Sequence, residues 1–230
     1  MRYYINGRSF DFDEEDLEDI KLDEGTEGAC YRVHNYYDDF VMKIHHDKPE
    51  KMILDEETCK AISNIKTERF ILPDDIIYDE DGNYKGYTVR YVDYKRPKVR
   101  NLKINRVIDE FYTLEKDVDI LTKNNVLIDD LKIFNTIFSN GIYVCDPGSY
   151  TIAETEDDKR FIGGYNKERI NEYELEEIIF NVFKFNQREK KGLRKFLDES
   201  EGYLSDYMRC FCEDKEENAK EFFKGLSYYR

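Results

Sequence analysis

The amino-acid sequence predicts an α+β protein in which a β-rich first part with one main helix precedes a mainly helical second part. Up to Val92, short segments alternate apolar and polar residues between turn signals, as the strands of a half-buried sheet do. Beyond Pro97, apolar residues recur every three or four positions among charged ones, which is the spacing of amphipathic helices. The composition changes near residues 94–100, so we expect the boundary between the two parts there.

A sheet rich in hairpins is predicted for the first part. Two turn signals, Asn6-Gly7 and Asp81-Gly82-Asn83, separate segments rich in β-branched and aromatic residues. One helix is predicted over residues 52–65, where apolar residues face Glu and Lys residues at helical spacing. The predicted strands are residues 1–5, 9–12, 29–33, 40–44, 70–78 and 84–92.

Helices dominate the prediction for the second part. One hairpin interrupts them, with strands over 136–138 and 142–145 around Asn140-Gly141. The predicted helices are residues 107–123, 172–185, 187–197, 203–212 and 217–226.

The composition describes a folded, acidic chain. Its 230 residues suffice for one domain or two small lobes, and 40% hydrophobic and 15% aromatic residues argue against global disorder. The formal net charge of -15 disfavours nucleic acid and membrane surfaces as partners, because both are polyanions, and favours a basic partner. An acidic surface also keeps a protein in solution, so the charge alone identifies no function.

The cysteines and the first residues predict a soluble, cytoplasmic protein. Five cysteines are an odd number without the spacing of a disulfide framework. Cys210 and Cys212 lack the second Cys/His pair that a zinc site needs. The amino terminus has no basic segment followed by an apolar one, and no stretch approaches the roughly 18 apolar residues that span a bilayer.

Two features of the first part point to anion binding, and each is weak alone. Gly25 and Gly28 lie between two strands, where their backbone N–H groups can approach phosphates, although such pairs more often mark ordinary turns. Lys43 interrupts an apolar strand, where it either faces solvent or, if buried, needs an anionic partner. Glu57 on the following helix is the preferred partner, and Glu56 is the alternative.

The strongest pattern lies in residues 126–148, which read VLIDDLKIFNTIFSNGIYVCDPG. Asn135 stands five positions after Asp130, and Asp146 opens an Asp-x-Gly triplet after an apolar strand. A carboxylate and an amide oxygen at strand ends can hold one or two Mg²⁺ against phosphates, since Mg²⁺ prefers hard oxygen ligands. Asp130 is then left to accept a proton from a hydroxyl group, and Lys132 can reach the transferred phosphoryl oxygens.

This segment closely resembles the catalytic segment of protein kinases. The resemblance implies a kinase, of the serine/threonine type, that uses ATP with Mg²⁺ or Mn²⁺. It implies Asp130 and Lys132 as catalytic residues and Asn135 and Asp146 as metal ligands. It also implies the bilobal protein-kinase-like fold, as a single domain over 1–230.

The resemblance extends to about residues 18–185. It implies an N-lobe over 1–93 and a trimmed C-lobe over 94–230, and residues 171–182 resemble the central helix of the large lobe, with Asn171 in the place of its usual Asp. Residues 88–92 look like the strand that leads into the hinge. The implied ATP-binding residues are Gly25, Gly28, Lys43, Glu57, Val89, Tyr91 and Val92.

The chain departs from the kinase pattern at several positions. Asp23 stands in the place of the first loop glycine, and Ile128-Asp129 replaces the usual His-Arg. Pro147 replaces the Phe of the triplet, which fixes φ there. No Ala-Pro-Glu motif follows in residues 149–170, so a protein acceptor is less firmly implied than phosphoryl transfer.

Three functions remain open. A protein kinase is favoured by Lys132. A small-molecule kinase of the aminoglycoside or choline phosphotransferase type usually has His there, and a deep acidic pocket beside Asp130 would favour it. A pseudokinase acting as a binding or scaffold module is the third. The expected partners are ATP and a protein substrate, and a basic protein fits the negative net charge of the chain. Neither nucleic acid nor a membrane is expected as a partner.

Overall fold

A computed structural model describes residues 1–35, 39–47, 53–96, 101–197 and 202–228. The chain divides into two compact units. The first comprises Met1–Thr67, Ile71–Asp93 and Cys145–Ile152, and the second comprises Glu68–Phe70, Tyr94–Val144 and Ala153–Arg230. The predicted helix start at Met52 and residues 97–100 of the predicted boundary lie outside the described residues.

The first unit is built on one antiparallel sheet. Its strands are β1 (Arg2–Ile5), β2 (Arg8–Asp11), β3 (Lys21–Glu24), β4 (Gly28–His34), β5 (Asp39–His45), β6 (Ile76–Tyr78) and β7 (Tyr84–Arg90). Their order across the sheet is β2-β1-β6-β7-β5-β4-β3. The predicted strand over 70–78 is reduced to β6, because Pro73 has no N–H to donate to a ladder.

Two helices belong to this unit. Helix α1 (Glu14–Ile20), which the sequence did not predict, begins at a capping box in which Asp13 accepts a hydrogen bond from Asp16 N at 2.8 Å. Helix α2 (Glu56–Ser63) packs against β6 and β7 and buries Cys59 and Ile62. The main core of the sheet consists of Tyr3, Ile5, Leu17, Val33, Met42 and Ile77.

The second unit is mainly helical. Its helices are α3 (Ile104–Lys123), α4 (Glu156–Glu172), α5 (Phe180–Phe183), α6 (Gln187–Leu197), α7 (Leu204–Phe211) and α8 (Ala219–Leu226). Its strands are β8 (Val126–Leu127), β9 (Thr136–Phe138) and β10 (Ile142–Val144), and β11 (Thr151–Ile152) belongs to the first unit. Helix α3 packs against α4, α7 and α8, and it buries a face at helical spacing that includes Val107, Phe111, Leu114, Val118 and Leu121. The predicted α+β class, β-rich with one main helix before a mainly helical part, is confirmed.

Helix α4 is the main element that the sequence did not predict. It contains Gly163-Gly164 and has few buried side chains, namely Ile162, Asn166 and Ile170. It continues through a π-helical segment, Tyr173–Ile179, into α5, so the predicted helix over 172–185 is the second half of a longer one. A helix that is mostly polar lacks the apolar periodicity on which the prediction relied.

Buried carboxyl groups organise the second unit. Asp117 accepts hydrogen bonds from the backbone N–H groups of residues 68, 69 and 70 at 3.0, 2.5 and 3.2 Å. Glu115 accepts hydrogen bonds from both N and Oγ of Ser205. Glu174 is fully buried, and neither of its oxygens has a hydrogen-bond partner among the described residues. Burial, and after it the nearby charge of Glu115, raise the pKa of Glu174 well above its ordinary value.

Among the described residues, no helix is both long and apolar enough to cross a membrane. All five cysteines are free thiols.

Candidate active site

The centre of the first unit's candidate site is the buried ammonium group of Lys43. The residue lies in the middle of β5, between β4 and β7, and only 7% of it is exposed. Nζ donates a hydrogen bond to Glu27 Oε2 at 2.8 Å and another to Asp146 Oδ1. Burial alone would lower the pKa of Lys43, but the two carboxylates raise it above its ordinary value. Lys43 is therefore held as a cation between two anions.

The glycine-containing loop supplies one of these anions. Gly25 N donates to Gly28 O at 2.9 Å, which closes a tight turn, and His46 N donates to Glu27 O at 3.0 Å. A Cβ on Gly28 would lie 2.1 Å from Ile44 O, whereas a Cβ on Gly25 would meet no atom within 4 Å. Gly28 is thus required by the close approach of β4 to β5, and only Gly25 borders open space.

Asp146 is placed by an irregular backbone. Its φ is 63°, in the left-handed region, and a short 3₁₀ helix, Pro147–Ser149, follows it. A Cβ on Gly148 would lie 2.5 Å from Glu27 Oε2, so the glutamate carboxylate packs against the glycine of the Asp-x-Gly triplet. The triplet therefore contributes both a carboxylate for Lys43 and the space that Glu27 occupies.

Burial shifts the pKa values of three other ionisable groups near Lys43 towards their neutral forms. Burial, and after it the charge of Lys43, lower the pKa of His45 to about 4. Burial raises the pKa of Cys30 to about 11 and that of Cys145 to about 12.

The second unit holds the two predicted catalytic residues and one predicted metal ligand in one turn. The Lys132 ammonium pairs with Asp130 Oδ1, and Asn135 Nδ2 donates to Asp130 O at 3.0 Å. Asn135 N donates to Lys132 O at 3.0 Å, which closes the 3₁₀ helix Ile133–Asn135. The structure thus brings Asp130, Lys132 and Asn135 together.

Two side chains that sequence reasoning missed anchor this turn. Asn166, buried on α4, accepts a hydrogen bond from Ile128 N at 2.9 Å and donates to Val126 O at 2.8 Å. Glu177, in the π-helical segment, accepts from Ile133 N at 2.9 Å. Asn171, on the same helix, instead donates a hydrogen bond to Gly202 O and accepts one from Leu204 N. An Asn and a Glu in a polar stretch carry no local sequence signal for these contacts.

The predicted catalytic carboxylate, Asp130, and the predicted metal-ligand carboxylate, Asp146, both have a left-handed backbone. The φ of Asp130 is 53° and that of Asp146 is 63°. Among the described non-glycine residues, only Asn6, Asn125 and Lys184 share a positive φ. This conformation costs an L-residue about 1–2 kcal/mol, less for Asp and Asn, and such strain concentrates at functional sites.

An acidic cavity lies beside Asp130 within the second unit. Its volume is about 380 Å³, which is within the range of small-ligand sites. Five carboxylates and two cations line it together with Leu131 and Tyr173: Asp129, Asp130, Glu172, Glu176, Glu177, Lys132 and Arg169. Arg169 Nη1 lies 3.1 Å from Glu172 Oε2, and its Nε lies 3.9 Å from Asp129 Oδ1. The carboxylates therefore outnumber the cations.

The predicted partner of Lys43 does not match its described contacts. Glu57 is exposed on α2 and is absent from the contacts of Lys43, which are Glu27 and Asp146. Glu56 accepts a hydrogen bond from the Tyr78 hydroxyl at 2.7 Å and pairs with Lys60. Neither glutamate of the helix therefore supplies the carboxylate.

Three of the predicted ATP-binding residues lie at the end of β7. Val89 pairs with Val41 of β5. Tyr91 and Val92 follow the strand and are half-buried, and the Arg32 guanidinium lies 3.5 Å from the centroid of the Tyr91 ring. These contacts define the local fold of the segment, and its role towards a nucleotide stays a prediction.

The predicted metal ligands offer suitable donor atoms. Asn135 uses Nδ2 for Asp130 O, which leaves the amide oxygen Oδ1 as its ligand atom, and Asp146 offers a carboxylate. Such hard oxygen donors fit Mg²⁺ or Mn²⁺. Asn135 belongs to the second unit and Asp146 to the first. Within the described residues, no group of three or more His, Cys, Asp or Glu side chains could hold a metal ion.

Comparisons with known proteins find similarity among solved structures. No protein-family model matches the chain, and no curated protein matches its sequence. Among solved structures it is similar to the kinase PK-1 of Cydia pomonella granulovirus, with 24% sequence identity and a TM-score of 0.42. The match covers 59% of this chain and 54% of that one, so the chain spans about half the length of that kinase. The function proposed below therefore rests on the chain's own residues.

Proposed function

We propose that this chain is an ATP-dependent phosphotransferase with a protein-kinase-like site. The observation that carries the proposal is the pairing of Lys43 with Asp146, which lie 103 residues apart in sequence. Each was singled out independently, one as a lysine within an apolar strand and the other as the start of an Asp-x-Gly triplet. A buried cation beside a metal-binding carboxylate is what the phosphates of a metal nucleotide require.

In this proposal each residue has a defined role. Lys43 binds phosphate oxygens, and Asp146 and Asn135 hold Mg²⁺ or Mn²⁺. Asp130 orients the acceptor hydroxyl and takes its proton, while Lys132 neutralises charge on the transferred phosphoryl group. The bound Mg-ATP supplies the phosphoryl group and the charge neutralisation of its β and γ oxygens. Gly25, Gly28, Glu57, Val89, Tyr91 and Val92 complete the nucleotide-site residues implied by the kinase resemblance, with Glu57 reconsidered below.

The proposed unit is a single kinase-like domain over 1–230, with an N-lobe over 1–93 and a C-lobe over 94–230. A cytoplasmic, serine/threonine-type protein kinase is the finer form of the proposal. Its substrate would be a basic protein, which suits the net charge of -15.

The acidic cavity beside Asp130 favours a second candidate, a small-molecule kinase. Five carboxylates against two cations suit an acceptor that carries an ammonium or guanidinium group. The volume of about 380 Å³ also suits a small ligand. Lys132, where such kinases usually have His, favours the protein kinase instead.

A phosphoryl-transfer assay on the full chain tests the proposal. The chain is incubated with radiolabelled ATP and Mg²⁺ or Mn²⁺, with a basic protein in one arm and a panel of amino alcohols in the other. We expect transfer in one arm, loss of transfer in Asp130→Asn and Asp146→Asn, and retention in the exposed control Asp157→Asn. Absence of transfer in both arms, together with no thermal shift on adding Mg-ATP, would refute the proposal and favour a scaffold module.

A further inference from the structure

The contacts of Lys43 raise the question of which carboxylate orients this lysine when a nucleotide is bound. Asp146 pairs with Lys43, but in the proposed function it is also a metal ligand. A carboxylate that coordinates a divalent cation gives up much of its attraction for a neighbouring ammonium group. A lysine whose side chain is 9% exposed then needs a second anion to stay charged and fixed in one rotamer.

Glu27 meets this requirement. Its Oε2 lies 2.8 Å from Lys43 Nζ, and its side chain is 18% exposed. The same oxygen would lie 2.5 Å from a Cβ on Gly148, so the carboxylate is packed between the lysine and the backbone of the Asp-x-Gly triplet. Backbone hydrogen bonds within the loop, from Gly25 N to Gly28 O and from His46 N to Glu27 O, fix the main chain on both sides of it.

The pair leaves room for phosphate. An ammonium group has three N–H donors. Glu27 and Asp146 accept two of them, which leaves the third for a phosphate oxygen. Glu27 can therefore stay in contact with Lys43 when a nucleotide binds. An anion that merely occupied the phosphate position would have to leave.

We propose that Glu27 is the positioning residue of Lys43, in the role that the kinase resemblance assigns to Glu57. The inference rests on the proposed function, because it concerns the same site. Glu27 lies between the two glycines of the loop, so the residue that orients the lysine is part of the element that would cover the phosphates. Loop geometry and lysine orientation are thereby set together, without a contribution from α2.

A double-mutant cycle between Glu27 and Lys43 tests the inference. Glu27→Gln keeps the size of the side chain and removes its charge, and Lys43→Met removes the ammonium group. We expect Glu27→Gln to lower kcat/KM for ATP, and to raise the Mg-ATP dissociation constant measured by calorimetry, by about ten- to hundredfold, which is the usual effect of losing a charged hydrogen-bond partner. In the Lys43→Met background, where transfer is abolished, the same change should alter that dissociation constant by less than about twofold.

Further variants separate positioning from a purely structural role. Glu27→Asp, which keeps the charge, should recover part of the activity. Glu57→Gln is the rival variant, and Glu80→Gln on an exposed turn is the matched control. If Glu27 had a purely structural role, Glu27→Gln would have a lower melting temperature. The effect of the substitution would then be equally large with Lys43 present and in the Lys43→Met background.

The possible results distinguish a failure of the inference about Glu27 from a failure of the proposed function. Equal effects in the two backgrounds, a gain of ATP affinity in Glu27→Gln, or a loss confined to Glu57→Gln would overturn the inference while the phosphotransferase stands. No ATP binding and no transfer by the unmodified chain would instead refute the proposed function, and the role of Glu27 with it.

Discussion

Removing Lys43 should destabilise the first unit more than removing the charge of Asp146, although both changes should abolish phosphoryl transfer. In Lys43→Met, Glu27 and Asp146 both lose their cation, whereas in Asp146→Asn the lysine keeps Glu27 at 2.8 Å. The side chains of Lys43, Glu27 and Asp146 are 9%, 18% and 37% exposed, so solvent screens part of the cost. We therefore expect about 3 kcal/mol for Lys43→Met, the lower end of the ~3–5 kcal/mol typical of breaking a buried pair.

Asp146→Asn should cost about 1 kcal/mol, the usual net worth of one hydrogen bond. The difference of about 2 kcal/mol corresponds to roughly 1 M in the urea midpoint at an m-value of about 2 kcal/mol/M. Urea unfolding of the full chain can be followed by circular dichroism and by tyrosine fluorescence, since the chain has 19 Tyr and no Trp. Because the chain has two compact units, each transition is fitted separately. An Asp146→Asn midpoint equal to or below that of Lys43→Met would refute the charge balance described for this site.

Three further predictions concern stability. Asp117→Ala removes the acceptor of three hydrogen bonds from the backbone N–H groups of residues 68–70 and should cost about 3–5 kcal/mol, with loss of hydrogen-exchange protection at those amides. Burial raises the pKa of Glu174, so the folded state favours its protonated form. The stability that this carboxyl group contributes is complete below its unfolded pKa of about 4.3 and is lost as pH rises through its folded pKa. Glu174→Gln should therefore gain stability relative to the unmodified chain between pH 5 and 8 in thermal unfolding. Gly28→Ala would place a Cβ 2.1 Å from Ile44 O and should cost about 1–3 kcal/mol or more in urea unfolding.

Matched variants make these predictions specific. Asp157→Asn and Glu168→Gln change exposed carboxylates of α4 and should leave stability unchanged at each pH. Gly25→Ala adds a Cβ that meets nothing within 4 Å, so its stability should differ little from that of the unmodified chain. A pH dependence of Glu174→Gln that parallels that of the unmodified chain would contradict the buried, protonated carboxyl.

The sequence predicted the elements whose signal is local. Alternation and turn residues placed the β1–β2 hairpin around Asn6-Gly7, and helical spacing placed α3 within three residues of its start and α7 within one residue at each end. The missed elements lack such signals. Helix α1 has seven residues with a single buried side chain, Leu17, and α4 contains a Gly pair. Their stability comes from caps and from packing within their units, which local periodicity does not contain.

The candidate site was predictable where the spacing along the chain is fixed. Asp130, Lys132 and Asn135 lie within one turn, so the sequence places them together. Glu27 was not singled out, because its contact with Lys43 depends on how the loop folds across β5 rather than on spacing. The kinase resemblance pointed to Glu57 on the following helix instead, because the sequence does not show which carboxylate a buried ammonium group contacts.

The left-handed backbone at Asp130 and Asp146 bears on how such a protein can change in evolution. Among side chains, Asn tolerates this conformation about as well as Asp, and Gly adopts it freely, whereas Ala and the β-branched residues do not. Codons for Asp become codons for Asn or Gly through a single base change. The single-base changes that strain the backbone least at these two positions therefore remove the carboxylate and leave the fold intact. A lineage of this protein can therefore lose the proposed catalytic activity without passing through an unstable intermediate.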